Sequence, residues 1–361
     1  MRTLFVLFFF TTWSFVQAAT DLSPILDSQT LAVVRVDLNQ VDIPKIAAFF
    51  NEELKEIIPQ FEPDKVTADQ MLFMGQAGIT YVVATVSPVV NSFRNDGKAN
   101  EIFLILDKTA RDERICPFFI AIPAKPDKPK AEVDTIRKLL LQNQCPVTFH
   151  RHGFVVGIPM VPDYAEKDEI TDFVRTRFAE PSSEKRPEFA EALDATTAGS
   201  LIQFVVGNLS VFDQEMENMT KGIPAEMLED MPPEMKTNRE LSMKVYNLLW
   251  KKMNFISVTL DLNKPEFKVE MRMEDATSAL EICDALERIM AYVSQLVASE
   301  GDDYFLAYWY LDGIHKAFDI KVSGKSMTTS VDAVKYKILK KELTQTLPKL
   351  LSMRYQEGPD F

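Results

Sequence analysis

Hydrophobic and polar residues alternate strictly along residues 255–274. Ile256, Val258, Leu260 and Leu262 interleave with Phe255, Ser257, Thr259 and Asp261. After Asn263, Lys264 and Pro265 the alternation resumes. Phe267, Val269, Met271 and Met273 fall on one side, and Lys268, Glu270, Arg272 and Glu274 on the other. A period of two places one side in a core and the other in water, so this stretch predicts a hairpin with one charged face. The period then changes. Ala279, Ile282, Leu286, Met290, Val293 and Val297 recur at three and four, an apolar stripe along a helix. Asp275 can cap that helix, and Ser278 with Glu281 offers a capping box as an alternative start. A hairpin with one wet face and a helix with one apolar stripe bury each other as an α+β layer.

The same reading extends over the chain. It predicts a strand at 31–36 and a helix from Asp42 with Ile43, Ile46, Phe50, Leu54 and Ile57 inward. Residues 59–64 break that helix, and Thr67 with Gln70 caps a short second one ending at Met74. Strands follow at 79–86, 102–106 and 116–122. Next come a helix carrying Val133, Ile136, Leu139 and Leu140, a hairpin of 147–150 with 154–158, and a helix over 163–178. The second part repeats the order. It has a strand at 201–206, a helical segment from Phe212 and a helix with Leu241, Val245, Leu248 and Leu249 inward. The opening unit follows, then a strand at 304–311 turning through Asp312 and Gly313 into 317–322, and a last helix over 331–352.

The repeat predicts an α+β chain of two tandem, structurally similar halves, each a mainly antiparallel sheet with helices packed on one face. The first half carries one extra strand. A short echo accompanies the repeat: Asp37, Leu38, Asn39, Val41 and Asp42 against Asn208, Leu209, Ser210, Phe212 and Asp213. Residues 19–180 form the first half and 188–361 the second. The polar stretch 181–187, bounded by Pro181 and Pro187, is the linker.

Residues 1–18 stand outside this pattern. Arg2 precedes an apolar run at 4–10, and Val16, Gln17 and Ala18 place small or β-branched residues before a cut after Ala18. That is the form of a secretory signal peptide, and it predicts export to a periplasmic or extracellular compartment. Residues 70–93 carry no charge. Gly75, Gly78 and Pro88 interrupt them, so they read as a helix end followed by a core strand rather than an integral membrane span. The formal net charge is −13 among 361 residues. An acidic balance argues against nucleic acid or an anionic membrane as partner.

Few residues carry recognisable chemistry. Cys116 opens a strand and Cys145 ends the helix returning from it, so the two either form a disulfide or stay as buried thiols. Cys283 falls in the long helix as an unpaired core residue. His150 and His152 lack a carboxylate or thiolate to complete a metal site and read as hairpin-turn chemistry. Gly324, Lys325 and Ser326 lack the earlier glycine of a phosphate loop, since residue 319 is Asp. Asp302 and Asp303 read as a solvated turn. Met216, Met219, Met227, Met231, Met235 and Met243 read as a flap over the core. Tyr304, Phe305, Tyr308, Trp309 and Tyr310 are the densest aromatic cluster. On a central strand they are core, and on an exposed one they form a binding surface for protein or carbohydrate. No nucleophile elbow, zinc-protease helix or paired-cysteine motif is present. The sequence thus specifies no catalytic residue, cofactor or metal.

The run Leu31, Ala32, Val33, Val34, Arg35, Val36, Asp37, Leu38 carries a resemblance, together with Leu260, Asp261 and Leu262 before an alanine-containing helix at 276–285. The chain resembles uncharacterised exported proteins of planctomycete bacteria. The resemblance implies export and the duplicated α+β layout, and brings no activity with it. The expectation is an exported, non-catalytic binding or structural protein. The alternatives are a hydrolase-type enzyme with carboxylates between the halves, and a carrier of an apolar ligand.

Overall fold

The computed structural model describes residues 20–28, 30–61, 64–107, 118–124, 128–143, 145–159, 178, 186–194, 200–208, 233–261, 266–300 and 319–341. Ten strands form one antiparallel sheet. In chain order they are β1 (Thr30–Asp37), β2 (Glu101–Asp107), β3 (Phe118–Pro123), β4 (Val147–Arg151), β5 (Phe154–Ile158), β6 (Ile202–Gly207), β7 (Met253–Asp261), β8 (Glu266–Met273), β9 (Lys321–Ser323) and β10 (Ser326–Val331). The helices are α1 (Ile43–Phe61), α2 (Lys65–Asn95), α3 (Lys130–Gln142), α4 (Pro187–Asp194), α5 (Pro233–Lys252), α6 (Ala276–Glu300) and α7 (333–341).

Across the sheet the strands run β4-β5-β3-β2-β1-β6-β7-β8-β10-β9. Read outward from the centre, each half repeats the other: β1, β2, β3, β5, β4 on one side and β6, β7, β8, β10, β9 on the other. The duplication is therefore present in strand order. The halves are joined along a seam where β1 pairs antiparallel with β6, Val33 opposite Val205 and Val34 opposite Phe204. One sheet runs through both halves.

Alternation along each strand separates two faces. On one face, Val33, Ile105, Phe119, Val156, Val205 and Phe255 meet Leu22, Ile25 and Leu26 and the α4 side chains Phe189 and Leu193. Phe103, Phe189 and Phe255 are fully buried there, and burying such a ring contributes about 2–3 kcal/mol. Polar groups tie α4 across the seam. Gln203 donates to the Ala192 carbonyl at 2.7 Å and to Ser257 Oγ at 3.2 Å. Arg186 donates to the carbonyls of Asp27 and Thr30, each at 2.8 Å. Gly207 leaves the room this needs, because a Cβ there would stand 2.7 Å from Phe189 and 2.8 Å from Arg186.

The other face carries α3 at one end, where Ile136 and Leu140 pack on Ile122 and Val155. At its far end Ala279 and Ile282 of α6 pack with Met253, Met273 and Met327. The opening hairpin and helix form where their periodicity predicts, but the side expected in water is not open to it: Phe255 and Ser257 are buried, Glu270 and Arg272 are half-buried, and Ile256, Val258 and Leu260 on the other side are themselves only half-buried. Ile256 pairs with Met271, Val258 with Val269 and Leu260 with Phe267. Asp275 caps α6, accepting from the Ser278 N–H at 2.7 Å, and that hydrogen bond holds its carboxyl below the usual carboxylate range.

Three sequence expectations are corrected. Residues 79–86 are not a strand. They lie inside α2, a single helix of 31 residues. The run has no charged position, so neither period could be read from polarity, and its inner side follows helical spacing through Ala68, Leu72, Gly75, Ile79 and Val83. Among the described residues each half then has five strands. Second, α2 starts from Asp64, whose carboxylate accepts the Thr67 N–H at 2.8 Å, and not from a Thr67–Gln70 box. Third, the last hairpin turns at Gly324, which has a positive φ of 57°. It pairs β9 with β10, so residues 326–331 are strand, and Asp332 caps the helix that follows. Part of the expected linker, 181–185, and the turn at Asp312 and Gly313 lie outside the described residues, as does the strand expected at 304–311.

Candidate functional site

Among the described residues, the hairpin of α1 and α2 stands largely outside the core. The two helices pack along each other, and Gly75 permits a close approach, since a Cβ there would stand 2.8 Å from Leu54 Cδ1. Arg94 anchors the end of α2 by donating to the carbonyls of Leu38 and Val41, the latter at 2.8 Å. Val89, Val90 and Phe93 join the core over α3. N-terminal to that anchor, α2 turns a broad arc outward. Phe73 is 72% exposed and Tyr81 is 71% exposed, and Val66, Met74, Val82 and Val86 share the arc. An ordinary surface helix has charged residues at such positions. Here residues 70–93 have none, and no residue of the helix's most apolar 18-residue window is buried. By length and composition α2 could cross a membrane. Val66, Asp69, Gln70, Phe73 and Met74 line an open, shallow depression near its start.

Two exposed hydroxyls of the helix are bonded within it. Thr80 donates its hydroxyl to the Gln76 carbonyl at 2.8 Å, and Thr85 to the Tyr81 carbonyl at 2.9 Å. Ser and Thr hydroxyls bonded back to the preceding turn offer little to an outside hydrogen-bonding partner.

A charged cluster joins the halves beside this hairpin. Lys340 of α7 reaches Glu53 at 2.7 Å and Glu56 at 2.6 Å on α1. Tyr336 lies one turn earlier, its ring 6.1 Å from that of Phe49. Burial, then a hydrogen bond to Glu53, pushes the Tyr336 phenol well above its ordinary range. Burial works against the Lys340 ammonium, but its bonds to Glu53 and Glu56 outweigh that and raise its pKa. Glu53 and Glu56 thus share one lysine, and Glu53 also accepts from Tyr336. A second depression is lined by Met243, Lys244, Asn247, Leu248, Lys251 and Lys252 and contains no carboxylate.

The sequence-derived candidates fall elsewhere. Tyr304, Tyr308, Trp309 and Tyr310 lie outside the described residues, as do Cys116, Asp302, Asp303 and most of the methionine cluster. Cys145 is buried at the end of α3, its Sγ 3.3 Å from where a Cβ on Gly157 would stand. Cys283 is a free, half-buried thiol whose pKa burial raises. His150 and His152 each meet a backbone carbonyl at 3.3 Å, those of Ala124 and Phe178, and His152 sits in the β4–β5 turn with a positive φ of 52°. Among the described residues no three His, Cys, Asp or Glu side chains are grouped to hold a metal. The sequence reading missed α2 as a surface. Its signal was present in the charge-free run, which is far longer than a core strand of about 5–6 residues.

No family model and no curated protein matches this chain. Two solved structures, crystal forms I and III of TP0453, match it with TM-scores of 0.32 and 0.33 and sequence identities of 10% and 9%. Each comparison covers 91% of this chain and 100% of the other. A likeness at that level carries no argument about what this chain does.

Proposed function

We propose that this is an exported, non-catalytic binding protein whose contact surface is the outward arc of α2. The sheet and the α3, α4 and α6 layers are the scaffold, and the α1–α2 hairpin presents the surface. One observation carries the reading: a folded helix exposes large apolar side chains along a stretch with no charge. Contiguous exposed apolar surface on a folded protein marks an interaction site far more often than isolated exposed residues do. Export follows from the leader at 1–18 and sets the compartment as periplasmic or extracellular. The acidic net charge argues against nucleic acid as the partner.

The test is the double substitution Phe73→Glu and Tyr81→Glu. If the arc faces outward for binding, the folded chain keeps its urea midpoint, to within about 0.5 kcal/mol per site as expected of surface changes. Its retention on an apolar chromatographic matrix falls. Collapse of the urea midpoint would mean that the arc is packed within the chain, and the reading would fail.

A further inference from the structure

The partner of this arc can be named by its chemistry, on the premise that α2 is the contact surface. We infer that α2 docks on an uncharged lipid bilayer, lying in the interface with its outward arc among the acyl chains.

Three observations favour lipid over a protein groove. The charge-free stretch that stands clear of the core, residues 70–88, would extend about 28 Å at 1.5 Å per residue, a length suited to a broad apolar phase. Charged groups precede it, Asp64, Lys65 and Asp69, and after it Arg94 is tied into the fold through the Leu38 and Val41 carbonyls. The apolar arc therefore ends in polar groups on one side and in the protein on the other, which suits a helix lying in the interface. Third, the exposed Thr80 and Thr85 hydroxyls are already bonded within the helix. In a hydrocarbon phase donors must be satisfied internally, whereas a protein partner would normally engage them.

The helix lies on the bilayer and does not cross it, because of what is packed beside it. α1 runs along α2 and carries Glu52 and Lys55 paired at its surface, and Glu53 and Glu56 held by Lys340. Carrying those charges into the hydrocarbon is costly. With α2 in the plane, α1 and α7 stay on the aqueous side, the arrangement of interfacial helices. The net charge of −13 selects against an anionic surface.

The experiment is vesicle flotation of the purified chain with phosphatidylcholine alone and with phosphatidylcholine containing anionic phosphatidylglycerol. The expected result is co-flotation with the neutral vesicles, weaker flotation with the anionic ones, and release by alkaline carbonate. Phe73→Glu with Tyr81→Glu should reduce the floated fraction at least tenfold, and Phe73→Leu should preserve it. Carbonate-resistant flotation would overturn the in-plane placement. If the wild-type chain does not float and sedimentation shows a dimer that the double substitution dissociates, the bilayer is wrong but the contact surface stands. If it neither floats nor self-associates and the variant keeps its retention on an apolar matrix, both readings fall.

Discussion

α2 and α5 hold the same place in the repeated topology, each leading directly into the second strand of its half. Their compositions are opposites. α5 carries seven charged residues in 20, ending in Lys251 and Lys252. α2 carries none between residues 70 and 93. The scaffold therefore does not dictate the polarity of this helix, because one scaffold accommodates both. α5 has a surface suited to water, with Lys244 paired to Glu281 of α6 at 3.0 Å. At its C-terminal end α2 joins the core through Phe93, and at its corresponding end α5 contributes Leu248 and Leu249.

That comparison rests on the two halves being one cooperative scaffold, and the strongest way to break it is at the seam. Val205 is fully buried opposite Val33. Val205→Asp strands a charge in the core, a class of change that costs about 3–5 kcal/mol. Urea unfolding followed by both fluorescence and circular dichroism should show a single transition shifted to lower denaturant. Two separated transitions would mean that the halves fold independently and that the seam is incidental.

A smaller effect sharpens the contrast between the halves, since a cross-link joining Cys116 to Cys145 would brace only the first. If these cysteines are paired, alkylation of the unfolded, non-reduced chain labels Cys283 alone. Prior reduction then labels all three and lowers stability by roughly 3 kcal/mol. Three labels without reduction would dispose of the pairing.

The smallest effect concerns the tie from α7 to α1. Lys340→Met leaves Glu53 without its cation, and Glu56 is largely exposed. The expected loss is about 1–2 kcal/mol, between the values for surface and buried pairs. The folded-state pKa of Lys340 lies above the ordinary lysine value of 10.5. Its contribution is therefore complete below that value and is lost as pH rises through the folded one. Wild type and Lys340→Met should differ at neutral pH and converge in strong alkali. A constant difference from neutral pH to strong alkali would show that the lysine acts through packing alone.

How much of this was legible depended on whether charge marked the period. At 255–273 Lys268, Glu270 and Arg272 mark the period, and strand, register and helix follow from it, although the face they mark is half-buried. At 79–86 nothing labels a face, so an alternation of Ile79, Tyr81 and Val83 with Thr80, Val82 and Ala84 fits either period. Gly75 and Pro88, which the sequence presents as breakers, are absorbed into α2. One sits at the close approach to Leu54, and the other lies about two turns before the helix ends. β10 was missed for the opposite reason. Ser326, Thr328, Thr329 and Ser330 are polar, and Met327 and Val331 are the only apolar residues of the strand. The candidate surface was visible in the sequence as a charge-free run but was assigned to the interior, because sequence polarity alone does not say which apolar stretch finds partners.

The seam has an evolutionary consequence. Equivalent strands that pair antiparallel are the geometry of a two-fold homodimer, in which the same edge of each subunit meets itself. Fusing two copies of such a subunit head to tail reproduces the strand order seen here. It converts an encounter between molecules into a contact within one chain, and it removes the open edge that a lone subunit would present. Once fused, the copies no longer need the same surface. One can stay hydrophilic while the other becomes greasy, an asymmetry unavailable to an assembly of identical subunits.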